Sequence, residues 1–186
     1  MKNQSIELIP PALSLAEPLC AYYLRNREFL QPFEPVREDA FFTPEYQREV
    51  LHGEMLAREN GTGCRFYIRL SDDPEKIIGS IGLNNIIRGA FQCCHLGYKL
   101  DEGHLNRGYM TMAVDMVTNY AFRELHLHRV EANVMPRNHA SLRVLEKCGF
   151  ENEGLSPYYL KINGVWEDHI HMVRLNYDMH EREAAE

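Results

Sequence analysis

A chain of 186 residues, 45 % hydrophobic and 25 % charged, can bury a core without covalent staples. Its formal net charge of −7 argues against a nucleic-acid binder, which needs clustered Lys and Arg, and fits a chain whose partner is basic. Five cysteines, odd in number and without C-x-x-C spacing, argue against a disulfide framework and for a reducing compartment. The start, "MKNQSIELIPPALSL", has no long apolar run, so neither a signal peptide nor a membrane span is expected, and the location expected is cytoplasmic.

Taken in order, "SIELIP" (5–10) reads as a short first strand and "LAEPLCAYYLRNREFL" as a helix over Leu19–Leu30. The two prolines of "QPFEPVRED" (31–39) make that stretch a loop. Pro44 to Glu59 suits a helix, ended by Gly61 and Gly63. Three strand-like runs follow: "CRFYIRL" (64–70), "KIIGSIGL" (76–83) and "FQCCHLGYKL" (91–100). From Gly108 to Leu125 the apolar residues Met110, Ala113, Val114, Val117 and Ala121 recur at helical spacing. "HRVEANV" (128–134) is a strand, and "NHASLRVLEKCGF" (138–150) is a helix with Asn138 as N-cap and Gly149 at the left-handed C-terminal position. "YYLKINGVWEDHIHMVRL" reads as two strands around the turn Asn163-Gly164. The tail "HEREAAE" reads as a solvated helix end. The whole implies one domain over 1–186, α/β or α+β, with a mixed and mainly antiparallel sheet.

Two features carry chemistry. Gly108 stands at the mouth of a long amphipathic helix, behind Asn106 and Arg107. Such a glycine serves a plain turn, or it lets an anion approach the unpaired N–H groups of the helix start. "HLH" and "HIH" offer paired imidazoles, but no third ligand is placed by spacing, so no metal is expected. His126 and His128 read as the end of a helix running into a strand, and Trp166 as strand packing or interface material, or as cleft lining.

The stretch "LNRGYMTMA", about 25 residues and then "NHASLRVLEKCGF" resembles the GNAT acyltransferase superfamily. Its first motif is Q/R-x-x-G-x-G/A; here Leu105, Gly108 and Met110 fall on the three defined places, and only the central glycine matches strictly. Its second motif, N-x-x-[AS]-x-x-x-[YL]-x-[KR]-x-G-F, is matched by Asn138, Ser141, Lys147, Gly149 and Phe150. "NREFLQPFEP" (26–35), "LGYKLDEGHLNRGYMTMAV" (96–114) and "LKINGVWEDHIHMVRL" (160–175) narrow the likeness to the RimJ/RimL group of ribosomal-protein-alanine N-acetyltransferases.

That resemblance implies a sheet of about seven strands flanked by about four helices, with a central splayed parallel pair formed by 91–100 and 129–134. It implies acetyl-CoA as co-substrate. Its diphosphate would be held at Leu105, Asn106, Arg107, Gly108, Tyr109, Met110 and Thr111, with Asn138 and Ser141 from the second motif. Its pantetheine would meet the backbone of Tyr98 and Leu100. The acceptor amine would attack the thioester directly. Many relatives assist the leaving thiolate with a tyrosine where this chain has Leu145, so Ser141 is the expected hydrogen-bond donor. The strand place that often holds a catalytic glutamate falls near Cys94 and His95, so no carboxylate is expected there. Glu34, His95 and His169 are the candidate bases, and Phe33, Glu34 and His95 the candidate acceptor contacts.

The acceptor expected is a protein N-terminus beginning with Ala or Ser, such as a ribosomal protein's, with a homodimer compatible and with neither nucleic acid nor membrane as partner. Two alternatives stay open: a small-molecule amine as acceptor, and a non-catalytic module that binds acyl-CoA.

Overall fold

In the computed structural model, which describes residues 5–179, the strand segments form one seven-stranded sheet. Its strands are Ile6–Ile9 (β1), Cys64–Leu70 (β2), Asp73–Ile87 (β3), Cys93–Leu100 (β4), Arg129–Val134 (β5), Glu151–Ile162 (β6) and Val165–Leu175 (β7). The spatial order is β1-β2-β3-β4-β5-β7-β6, and only β4 and β5 run parallel. The helices are Ala16–Arg25 (α1), the single turn Arg27–Leu30 (α2), Pro44–Glu59 (α3), Tyr109–Arg123 (α4) and His139–Lys147 (α5).

Side-chain alternation splits the sheet into two faces. On one, the apolar stripe of α4 meets Ile68, Ile81, Leu83, Cys94, Leu96, Val130 and Ala132, together with Leu145 of α5. On the other, Ala16, Leu19 and Tyr22 of α1 and Leu51 of α3 pack on Tyr67 and Ile77. The spacing read for α4 is what buries it: Met110, Ala113, Val114, Val117 and Ala121 are all buried.

Several boundaries differ from the expectation. The helix expected over Leu19–Leu30 starts at Ala16, because Pro18 sits in its first turn, where the missing N–H costs nothing. It then stops at Arg25, and Asn26 (φ −109°, ψ 11°) separates it from α2, because the Asn26 side chain is drawn into other bonds. The loop over 31–39 contains the 3-10 turn Gln31–Phe33, and another, Asp39–Phe42, begins at its end. β3 runs beyond 76–83 at both ends, with a bulge near Asn85 (φ 49°). β4 begins at Cys93 rather than 91, and α4 ends at Arg123 rather than Leu125. The Asn163-Gly164 turn is present, both residues having positive φ as a type I′ turn requires.

All five cysteines are free and buried. Among the described residues no helix is long and apolar enough to cross a membrane. The tail read as a helix end lies outside the described residues.

Candidate active site

The site is an opening in the sheet. β4 and β5 pair over three residues only: Cys93 with Arg129, Cys94 with Val130, and His95 with Glu131. Beyond His95 the strands part, β4 staying on β3 to Leu100 and β5 on β7 to Val134. From Leu96 to Leu100 the edge of β4 facing β5 therefore carries backbone N–H and C=O groups that no strand takes up.

At the wide end lies the start of α4. Gly108 is its N-cap, with φ 79°; no side chain caps the helix, and no acidic residue occupies its first turn. A β-carbon added to Gly108 would meet nothing within 4 Å, so the space in front of it is open. Asn106 (φ 59°) turns the chain, and Arg107 stands exposed. Leu105, Tyr109 and Met110 pack into the core, so of these residues only backbone can face a ligand. The Thr111 carbonyl accepts the Cys148 thiol at 3.4 Å, tying α4 to α5. An uncapped helix start, a glycine facing open space, an exposed arginine and a free strand edge fit a diphosphate with an extended amide-bearing arm.

α5 brings the second motif in. The Asn138 side chain accepts the Ser141 N–H at 3.1 Å, so its carbonyl oxygen caps the helix. The Ser141 hydroxyl lies 2.8 Å from the hydroxyl of Tyr98 on β4. Burial pushes the Tyr98 phenol well above its ordinary range, so it keeps its proton at neutral pH. The resemblance implied only a backbone role for Tyr98 and no tyrosine stands in the second motif. The structure brings a phenol against that motif from the facing strand.

The opposite face of the splay is polar. His95 Nε2 lies 3.7 Å from Glu131 Oε2, while Arg129 Nε donates to Glu131 Oε1 at 2.6 Å. β4 itself carries no carboxylate, and parallel pairing sets Glu131 of β5 beside His95. His95 Nδ1 and Asn133 Oδ1 are buried without a protein partner. Asn133 Nδ2 donates to the Tyr159 hydroxyl at 3.2 Å, and the Tyr159 ring stands edge-on to His171 at 4.9 Å. His169 is buried behind Tyr159 with Nδ1 3.0 Å from the Glu167 carbonyl, which removes it from an exposed base role.

Glu34 reaches this face and pairs with Lys99 of β4 and, at 3.7 Å, with Arg37. Its carbonyl accepts the Asn163 N–H at 3.1 Å, fastening the 31–37 segment to the last hairpin. Phe33 is partly exposed beneath Arg137, whose guanidinium carbon is 5.7 Å from the ring centre. Trp166 is 56 % exposed at the hairpin tip, so it is not core packing. At the base of the splay, burial pushes the Cys93 and Cys94 thiols up to about 11 and about 12, so neither is a thiolate nucleophile at neutral pH. Among the described residues no group of three His, Cys, Asp or Glu side chains converges to hold a metal.

A sheet splayed at one parallel pair, with a helix N-terminus at its mouth and hydroxyl donors along one wall, defines an acyl-CoA-dependent transferase. The profile of a family described as an acetyltransferase (GNAT) domain matches residues 5–151, and the chain belongs to that family. It is 43 % identical over 178 residues to a probable N-acetyltransferase, YjcK of Bacillus subtilis, covering 96 % of this chain and 98 % of that one. It is 39 % identical to the [ribosomal protein uS5]-alanine N-acetyltransferase of Escherichia coli, covering 82 % and 78 % of the two chains. The crystal structure of a ribosomal-protein-S5-alanine acetyltransferase from Vibrio fischeri superposes with a TM-score of 0.88 at 36 % identity, covering 96 % of each chain. The protein is thus an acetyl-CoA-dependent N-acetyltransferase of the RimJ/RimL type.

Proposed function

We propose that the acceptor is the N-terminal α-amine of a protein or peptide with a small first residue, Ala or Ser, on a basic ribosomal-type partner. The observation that supports this best is the likeness to two ribosomal-protein alanine acetyltransferases, which in the Vibrio fischeri structure extends over 96 % of the chain. The chain's net charge of −7 favours encounter with a basic partner.

The chemistry follows from the two walls. Acetyl-CoA supplies the activated acyl group. The attacking amine enters from the face of His95, Glu131 and Asn133, whose unpaired His95 Nδ1 and Asn133 Oδ1 can accept its N–H groups. An α-amine has a reference pKa of about 7.7–8.0, so a useful fraction is already neutral; a lysine near 10.4 would need a stronger base. On the other wall the Tyr98 hydroxyl lies 2.8 Å from the Ser141 hydroxyl and donates to the Ser141 carbonyl at 3.2 Å, and this hydroxyl pair is placed to hydrogen-bond the departing sulfur. Most of the rate should come from positioning.

With a phenol in place, the non-catalytic alternative loses its motive. The small-amine alternative is separated by experiment. Turnover is compared on a basic peptide starting with Ala, the same peptide with its N-terminus blocked and a lysine retained, and spermidine. Activity on the first alone is expected. Activity that survives the block, or is confined to spermidine, refutes the N-terminal reading.

A further inference from the structure

Asn26 and Asp101 are polar, take no part in the site's chemistry, and are only 1 % and 3 % exposed. Both atoms of the Asn26 amide are engaged. Nδ2 donates to the Tyr22 carbonyl at 2.9 Å and to Asp101 Oδ2 at 3.1 Å, and Oδ1 accepts the Glu102 N–H at 3.0 Å. Asp101 completes the knot. It takes Arg25 Nε at 2.6 Å and the Gly103 N–H at 2.9 Å, and its Oδ1 lies 2.9 Å from His104 Nδ1. Its own N–H donates to the Ile78 carbonyl at 2.7 Å, which pins the knot to β3.

The placement of the knot matters more than its strength. Asn26 is the hinge at which α1 stops and the 27–37 segment begins. Asp101 is the first residue beyond β4 and opens the turn, Glu102–His104, that leads to Gly108. The ion pair of Glu34 with Lys99 ties the same segment to the same strand a second time. A buried ionic knot is a poor way to gain stability, because desolvation offsets its attraction, but a good way to fix one arrangement of two chain segments.

We propose that the Asn26–Asp101 clasp is a positioning device that couples the two substrates. Filling the cleft along β4 and α4 orders the 27–37 segment, and the segment's order favours the filled cleft to the same degree, since coupling is reciprocal. The benefit to acceptor binding rests on the reading of Phe33 and Glu34, both within this segment, as acceptor contacts.

Hydrogen exchange on the full chain, with CoA alone as the probe, tests the clasp. In the native protein saturating CoA is expected to slow exchange over 101–112 and also over 27–37. In Asn26→Ala the first protection should persist and the second fall at least fivefold. Because Asn26→Ala opens a small buried space, Glu102→Pro serves as a second variant. It removes the N–H that Asn26 accepts while keeping the Asn26 side chain in place, at the first position of a 3-10 turn preceded by extended backbone (Asp101 φ −59°, ψ 134°), where the backbone accommodates proline. Native exchange over 27–37 that ignores CoA, or a CoA response over 27–37 unchanged in both variants, overturns the proposal. A protein that shows the coupling but does not acetylate the Ala-starting peptide loses the N-terminal reading and keeps the clasp.

Discussion

Replacing Gly108 by valine tests the cofactor loop most directly. Gly108 has φ 79°, where an L-residue pays about 1–2 kcal/mol of strain. No atom lies within 4 Å of the added β-carbon, so no packing clash adds to that. Against a typical stability of about 5–15 kcal/mol the protein stays folded, with a melting point lower by about 2–8 °C. The new methyl groups stand in the open space before the α4 N-terminus, where the proposed diphosphate site offers backbone N–H groups. A loss of at least tenfold in CoA affinity is expected, about 1.4 kcal/mol. Gly108→Ala separates the contributions, since it carries similar backbone strain with less bulk. Calorimetric titration of CoA into the native protein and both variants, with thermal melts alongside, gives both quantities. A valine variant that melts lower but binds CoA as tightly as the native protein refutes the assignment of this loop.

Ser141→Ala should lower kcat more than it raises KM for acetyl-CoA, and Tyr98→Phe should have a smaller effect of the same kind, because these contacts matter most in the transition state; steady-state kinetics on an accepted amine decide, and an untouched kcat makes the pair packing. Burial alone would raise the Asp101 carboxyl, but bonds from Asn26, His104 and Arg25 outweigh it and hold the group well below its ordinary value of 3.8. The folded form therefore binds this proton more weakly than the unfolded chain, and the stability it contributes is complete above pH 3.8 and lost as pH falls below it. Urea melts of the native protein and Asp101→Asn between pH 3 and 6 should converge as pH falls; a constant gap would contradict the assignment. Gly79→Ala would set a β-carbon 2.6 Å from the Lys99 carbonyl on the paired strand, so a loss of about 1–3 kcal/mol or more is expected in denaturant melts.

The framework was legible because its signals are local. Pro44 to Glu59 and 64–70 lie where the caps and the alternation put them, and Asn138 caps α5 through the Ser141 N–H. The Tyr98–Ser141 contact was not legible, because it joins residues 43 apart through a strand and a helix that meet only after the sheet has formed. Glu131 was hidden for the same reason. Its alternation on β5 was readable, but not the register that sets it opposite His95. The end of α1 depended on Asn26 finding Asp101, 75 residues away, which outweighed a helical pattern that otherwise ran on to Leu30.

The seam at β4 and β5 has a consequence for the protein's lifetime. Three residue pairs join two antiparallel halves, each built largely from neighbouring segments, while the join itself waits on the crossover through α4. The molecule thus resembles two plates held by a short weld, and a substrate lodged in the gap acts as a brace. By mass action, a bound ligand at a hundred times its dissociation constant adds about 2.7 kcal/mol to stability, comparable to a disulfide. Resistance to unfolding and proteolysis should then rise and fall with the supply of the acyl donor, so the chain's turnover would track the metabolic state that feeds its reaction.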